Sequence, residues 1–230
     1  MQPLDHFYDN PVNRGKGTPW IFDRLFTGLI RVSFTPAFRC KVRGAKEIRA
    51  LDKGYILAGN HRSYLDPLFV MQAMRPRSIR FIGKEEFFSI YAIRRLASWV
   101  GVFPVKRGMG DIKVVKRSVA MLKRGEIVGI FPEGTRGRGE DIVEGEREVH
   151  EGVAMIASLA KAPVVPLRLW NTEKISPVGT RLWRFPTIKL AFGEPMSLDD
   201  PAYAGLEKSE KLQRFTQDIM TAIYSLPQPE

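Results

Sequence analysis

Three histidines occur in the 230-residue sequence, and only His61 stands where an apolar run ends, in Leu57-Ala58-Gly59-Asn60-His61-Arg62-Ser63-Tyr64-Leu65-Asp66-Pro67. In α/β proteins the carboxyl ends of strands gather ligands and reactive groups, which makes His61 the first candidate for moving a proton near neutral pH. Asp66 follows five positions later. On one continuous helix that offset separates two side chains by about 140°, so they meet only if the residues between them form a turn. Asp66-Pro67 favours such a turn, because the residue before a proline avoids helical angles and proline suits the first helical position. A histidine oriented by a carboxylate is half of a hydroxyl-activating device, and a substrate that brings its own hydroxyl removes the need for a side-chain nucleophile. A plainer alternative stays open, with Asp66 as the N-cap of a helix through Leu68, Phe69, Val70 and Met71 and His61 as a half-buried structural histidine.

A second constellation, Gly129-Ile130-Phe131-Pro132-Glu133-Gly134-Thr135-Arg136, brings a carboxylate, a glycine turn and a guanidinium to the end of another apolar run. A third, Gly101-Val102-Phe103-Pro104-Val105-Lys106-Arg107-Gly108, ends in paired basic residues beside a glycine. The guanidinium fork matches phosphate oxygens bidentately, so Arg107 and Arg136 are natural phosphate clamps, and Lys84 after the Ile79 run adds a point charge. Read plainly, Pro132 to Gly134 is a type II turn and Arg136 a solvated side chain.

These groups act together only if the fold delivers them to one place. From Lys41 onward short apolar runs alternate with longer helical stretches, the pattern of an α/β domain with a largely parallel sheet. Strands are expected at Tyr55 to Gly59, Ile79 to Gly83, Val102 to Lys106, Ile127 to Phe131, Val164 to Trp170 and Thr187 to Phe192. Helices are expected at Pro67 to Met74, Phe87 to Val100, Asp111 to Arg124, Gly152 to Lys161 and Leu206 to Leu226, with Gly125 as a stop. Between Gly134 and Glu148 glycine and charge predominate without an apolar period, which reads as a long exposed loop.

Nearer the start, Trp20 to Val32 places Ile21, Phe22, Leu25, Phe26, Leu29, Ile30 and Val32 on one half of a helical wheel, opposite Asp23, Arg24, Thr27 and Arg31. Such a stripe either packs on a core or, with its aromatic residues and arginines, lies in a membrane interface. The reading is a single α/β domain with a central, largely parallel mixed sheet flanked by helices, preceded by an N-terminal amphipathic helical segment. Its bounds are a flexible segment at 1–18, amphipathic helices at 19–40, the α/β domain at 41–226 and a tail at 227–230.

Composition narrows the partners. Hydrophobic residues make up 44% and charged residues 27%, which excludes disorder and a polytopic membrane protein. Thirty-six Lys and Arg against 25 Asp and Glu leave +11, a balance suited to nucleic acid, an acidic membrane or phosphorylated small molecules. Cys40 is the only cysteine, so no intrachain disulfide and no cysteine-rich zinc site is expected, and a reducing compartment fits. The first 18 residues carry Asp5 and Asp9 and lack an apolar centre, so they do not read as a secretory signal. With no uninterrupted apolar run long enough to span a bilayer, a membrane role would be peripheral.

Asn60-His61 with Asp66, the Gly101 to Arg107 block, the Phe131 to Arg136 block and Val164-Val165-Pro166 together resemble, in order, the blocks of the glycerolphosphate acyltransferase family, in its 1-acylglycerol-3-phosphate acyltransferase branch. The resemblance covers roughly residues 40–195. It implies acyl transfer from an acyl thioester, on coenzyme A or acyl carrier protein, to the sn-2 hydroxyl of lysophosphatidate. His61 and Asp66 would then act as a dyad on the acceptor hydroxyl. Lys84, Arg107, Glu133, Gly134, Thr135 and Arg136 would hold the glycerol phosphate. No metal and no cofactor beyond the donor substrate is implied, and the partners are a lysophospholipid, the acyl thioester and an anionic membrane on its cytoplasmic face.

The chain departs from the family pattern at Gly137, where a serine is common, and at Val149-His150, where a Phe-Lys pair is common. Between them Glu140, Asp141, Glu144, Glu146 and Glu148 crowd a segment close to the expected phosphate site. Glycerol 3-phosphate, another lysophospholipid or a lipid without phosphate therefore stay open as acceptors, as does a noncatalytic lipid-binding module. A nucleic-acid role is not expected, since no helix-turn-helix, zinc-finger or RNP pattern occurs.

Overall fold

Every residue of the strand Tyr55–Gly59 is buried, which explains why its sequence is an unbroken apolar run: helices cover both faces of the sheet around it. The structure, a computed structural model, describes residue 28 and residues 38–75, 77, 79–84, 102–105, 112–133, 151–176 and 183–230. In chain order its elements are β1 (Cys40–Arg43), α1 (Ala45–Arg49), β2 (Tyr55–Gly59), α2 (Asp66–Ala73), β3 (Ile79–Lys84), β4 (Val102–Val105), α3 (Ile112–Lys123), β5 (Ile127–Ile130), α4 (Gly152–Ala160), β6 (Val164–Trp170), β7 (Ile188–Phe192) and α5 (Lys208–Ser225).

The strands form one sheet in the order β1-β7-β6-β2-β5-β3-β4. β2 pairs parallel with both β5 and β6, and β3 pairs parallel with β5 and β4. Among the described strands only the β6–β7 pairing is antiparallel, and β1 runs parallel to β7. The carboxyl ends of β2 to β6 therefore share one edge of the sheet.

Alternation along β2 divides the core. Tyr55 and Leu57 face α1 and α2 with Phe69, Val70 and Met74, while Ile56 and Ala58 face α3, α4 and α5 with Met121, Ala154, Phe215 and Ile219. Each α/β crossover buries one apolar helix stripe on one of these faces.

Boundaries differ from the sequence reading in ways with local causes. β1 and α1 were not expected: β1 is a four-residue edge strand with exposed Lys41 and Arg43, and α1 is too short to show a helical period. β5 ends one residue earlier than expected and β3 extends to Lys84, while Lys106, the expected end of β4, lies outside the described residues. α3 stops at Lys123, where the Glu126 amide donates to Met121 O and Gly125 takes a φ of 82°. The expected helix at Phe87 to Val100 and the expected loop from Gly134 to Glu148 lie outside the described residues. So does the N-terminal segment as far as residue 37, apart from Gly28, which is helical, while Cys40 at its expected end belongs to β1.

At the opposite edge of the sheet, buried Glu126 accepts from Arg80 Nε at 2.9 Å and Arg124 Nε at 2.8 Å, tying β3 to the start of β5. Cys40 is a free thiol at the start of β1, and burial pushes its pKa up to about 11.

Gly129 on β5 lies opposite Phe81 on β3, and a Cβ there would sit 2.3 Å from the Phe81 ring. The Phe81 ring stacks on Phe131 at 5.7 Å, so crowding at Gly129 is passed on to the strand ends. Gly129→Ala is expected to lose about 1 to 3 kcal/mol through overpacking. At about 2 to 4 °C per kcal/mol for a chain of this size, thermal unfolding reads that loss directly.

Candidate active site

β2 ends at Gly59, and the next residue fixes where the chain leaves the sheet. Asn60 is buried; its Nδ2 donates to Leu169 O at 3.0 Å and its Oδ1 accepts from Leu169 N at 2.8 Å. One side chain thus continues the β2–β6 ladder a step beyond the strand. The following turn folds the Asp66 carboxylate back beneath it. Asp66 Oδ2 accepts from His61 Nδ1 at 2.8 Å, Arg62 N at 2.7 Å and Ser63 N at 2.8 Å, with no part of Asp66 exposed.

The N-cap alternative is corrected by this geometry. α2 begins at Asp66 itself, the residue before it is Leu65, and the Leu68 and Phe69 amides donate to Leu65 O. The carboxylate makes no bond to the helix. Pro67 has no N–H to offer it, whereas the two amides behind it and the imidazole converge on a single oxygen.

Because an ionised carboxylate only accepts, Nδ1 of His61 carries a proton, and the lone pair of the ring in its neutral form falls on Nε2. His61 is 15% exposed, enough to meet a ligand from one side. Its face is covered by Phe131, stacked at 4.2 Å between centroids and 12° between planes. The imidazole is thus fixed by Asp66 at one nitrogen and by an aromatic wall from the end of β5. A ring held this way can accept a proton from a hydroxyl placed at Nε2 and return it to a leaving group.

Glu133 reaches the same edge two residues beyond Phe131 and is 4% exposed. The Tyr224 hydroxyl, from the last turn of α5, donates to Glu133 Oε1. Lys84 closes β3 and pairs with Val105, which places its backbone at this edge as well. Arg107, Gly134, Thr135 and Arg136 lie outside the described residues. Arg62, next to His61, has its Nε 3.8 Å from Glu173 Oε2. Among the described residues no group of three or more His, Cys, Asp and Glu is placed to hold a metal ion.

Sequence reasoning missed three residues of this site. Asn60 had one legible sign, a polar residue closing an apolar run. Phe131 was read only as part of its block. Nothing marked Tyr224, whose partner lies 91 positions earlier.

The fold is thus a three-layered α/β sheet with a carboxylate-held histidine at its parallel strand ends. The chain belongs to the Acyltransferase family, which it matches over residues 39–170. It is 31% identical over 181 residues to a Bacillus subtilis (strain 168) 1-acyl-sn-glycerol-3-phosphate acyltransferase, across 79% of this chain and 85% of that protein. It is 30% identical over 151 residues to the chloroplastic 1-acyl-sn-glycerol-3-phosphate acyltransferase BAT2 of Brassica napus, across 65% of this chain but only 42% of that longer protein. In fold it resembles the crystal structure of PlsC, the 1-acyl-sn-glycerophosphate acyltransferase of Thermotoga maritima, with a TM-score of 0.65 and 20% identity over 86% of this chain and 77% of that one.

Two substitutions separate chemistry from support. Asparagine in place of Asp66 can put its carbonyl where Oδ2 receives three donors, while its NH₂ takes the place of Oδ1, which has no hydrogen-bond partner. Asp66→Asn is therefore expected to lose activity at the cost of one buried, unpartnered NH₂, about 1 to 3 kcal/mol, whereas Asp66→Ala strands three buried donors and is expected to lose about that much for each. Wild-type turnover in Asp66→Asn, measured beside its thermal unfolding, would reduce the carboxylate to a structural pin.

Proposed function

We propose that the protein transfers a fatty acyl group from an acyl thioester, on coenzyme A or acyl carrier protein, to the sn-2 hydroxyl of 1-acylglycerol 3-phosphate, forming phosphatidic acid. One observation carries the reading: His61, held through Nδ1 by a fully buried Asp66, at the strand edge that Glu133 also reaches. The similarity to proteins named 1-acyl-sn-glycerol-3-phosphate acyltransferase supports this choice of acceptor.

In the proposed reaction His61 Nε2 takes the proton of the acceptor hydroxyl as its oxygen attacks the thioester carbonyl. The tetrahedral intermediate collapses with loss of the thiolate, which takes the proton back from the imidazolium. One C–O bond forms, one C–S bond breaks, and His61 ends neutral. Asp66 stabilises the imidazolium and holds the tautomer. No acyl-enzyme is required, because the acceptor is the nucleophile. The amides of Arg62 and Ser63 both donate to Asp66, so the donors for the oxyanion come from another strand end.

Around this centre, Arg107 and Arg136 clamp the acceptor's phosphate, with Lys84, Glu133, Gly134 and Thr135 completing the glycerol phosphate subsite. The segment from Trp20 to Val32 docks the protein on the cytoplasmic face of an anionic membrane, where its lipids reside. Among the described residues no helix is long and apolar enough to cross a membrane.

Three measurements check this reading. His61→Ala is expected to lower turnover by at least about 10²- to 10⁴-fold, the contribution of a positioned general base, while lipid binding persists. In assays with labelled acyl-CoA and a panel of lysolipids, Arg136→Ala is expected to raise the KM for lysophosphatidate roughly ten- to a hundredfold and to leave that for the donor alone. Equal changes for acceptors with and without phosphate would move the assignment to another lipid acceptor. Exchanging Phe22 and Phe26 for Ser is expected to shift the protein from pelleted anionic liposomes to the supernatant, and cooperative destabilisation instead would make that stripe ordinary core.

A further inference from the structure

Arg168 is a charged residue within β6, on the face of that strand turned toward α5, and core packing does not explain it. Its Nη1 donates to the backbone carbonyl of Tyr224, and its guanidinium lies 5.0 Å from the Trp170 ring and 5.2 Å from the Tyr224 ring. α5 has no basic residue in its own last turn, so Arg168 supplies, from the sheet, the cation that suits a helix carboxyl end.

A second contact holds the same turn. Leu226, directly after α5, closes on Gly193, where a Cβ would meet Leu226 Cδ2 at 3.0 Å and Pro166 Cγ at 2.8 Å. Tyr224 stands at the rim of the helix's buried stripe of Leu212, Phe215, Ile219 and Ile223, half-buried itself, with its hydroxyl on Glu133 Oε1. The carboxylate can only accept, so the tyrosine is the donor.

We infer that Tyr224 is a positioning residue for acceptor binding: held by Arg168 and by the packing of Leu226, it fixes the Glu133 carboxylate and so makes the end of α5 part of the acceptor subsite. This rests on the reading above that Glu133 belongs to the acceptor subsite. It adds a residue from an element that contributes nothing to the His61–Asp66 pair. A polar tip on a rigid, stacked ring suits the role, because the hydroxyl can be deleted while the ring stays under Arg168.

The test uses the full chain with acyl-CoA and lysophosphatidate. Tyr224→Phe is expected to keep the KM for acyl-CoA and to raise the KM for lysophosphatidate about tenfold, the order of one hydrogen bond to a charged group. In a Glu133→Ala background the same exchange is expected to add nothing, since its effect passes through that carboxylate. If Glu133→Ala does not fold, Glu133→Gln takes its place in the cycle, with the expected residual effect of Tyr224→Phe reduced because the acceptor there is uncharged.

An unchanged acceptor KM in Tyr224→Phe, with that of the Glu133 variant raised, overturns the inference and leaves the acceptor reading standing. If the Glu133 variant folds and its acceptor KM is also unmoved, the acceptor role of Glu133 falls and the inference with it. Equal rises in KM for donor and acceptor would make Tyr224 a stability contact and overturn the inference as well.

Discussion

A carboxylate with no exposed surface has to be satisfied where it lies, and that requirement at Asp66 organises the site. Three donors meet on its Oδ2, two of them backbone amides of the turn and the third the imidazole. The turn cannot relax without stranding buried donors, the helix behind it must begin where it does, and the histidine tautomer follows from the carboxylate's inability to donate. A five-residue separation is thereby converted from a mismatch on a helix into a closed ring of hydrogen bonds. Phe131 fixes the remaining freedom of the imidazole from a different strand, so the site's rigidity comes from the sheet as much as from the loop.

The positive charge of the chain serves more than one end. Part of it is internal: Arg49 Nη1 donates to Arg75 O at 2.9 Å, Arg77 Nη1 to Leu51 O at 2.7 Å, Arg80 is paired with Glu126, and Arg168 closes the end of α5. These arginines satisfy carbonyls at helix ends and loops, or, together with Arg124, the buried Glu126 carboxylate. Net charge therefore overstates the charge directed at a ligand. Position along the strands is the better guide, since the Arg80–Glu126 pair lies at the edge away from His61.

How much of this was legible in the sequence depended on the range of the interactions involved. The buried strands β2, β5 and β6 stood out as apolar runs, because strands covered on both faces carry no alternation to be misread. The His61–Asp66 pair was legible because it closes within one turn and Pro67 marks the break. β1 was not, being short and exposed at an edge. The sheet order was not either, since nothing local tells β2 that β6, more than a hundred residues later, is its neighbour. The Asn60–Leu169 bonds span 109 positions and the Tyr224–Glu133 bond 91, and such contacts are products of the topology rather than of any local pattern. Where a cap and a reactive carboxylate share the same residue preference, as at Asp66, only the direction of the side chain decided between them.

Among the described strands the single reversal of direction, between β6 and β7, has a consequence for where the chain joins the sheet. Because β1 runs with β7, its first residue, Cys40, lies beside Ile188, level with the end of β6 and not with its beginning. The polypeptide thus comes into the sheet at the reactive edge. Phe38 anchors that arrival, packed against Phe69 at 5.3 Å and Phe185 at 5.2 Å, with Trp183 and Phe185 largely open to the surroundings next to it. Had β1 joined the sheet in the common direction, its leading residues would have emerged on the far side, a full strand length from His61. As built, Phe38 and the first residue of β1 stand at the same edge of the sheet as His61, so the point where the chain joins the sheet and the chemistry share one frame of reference.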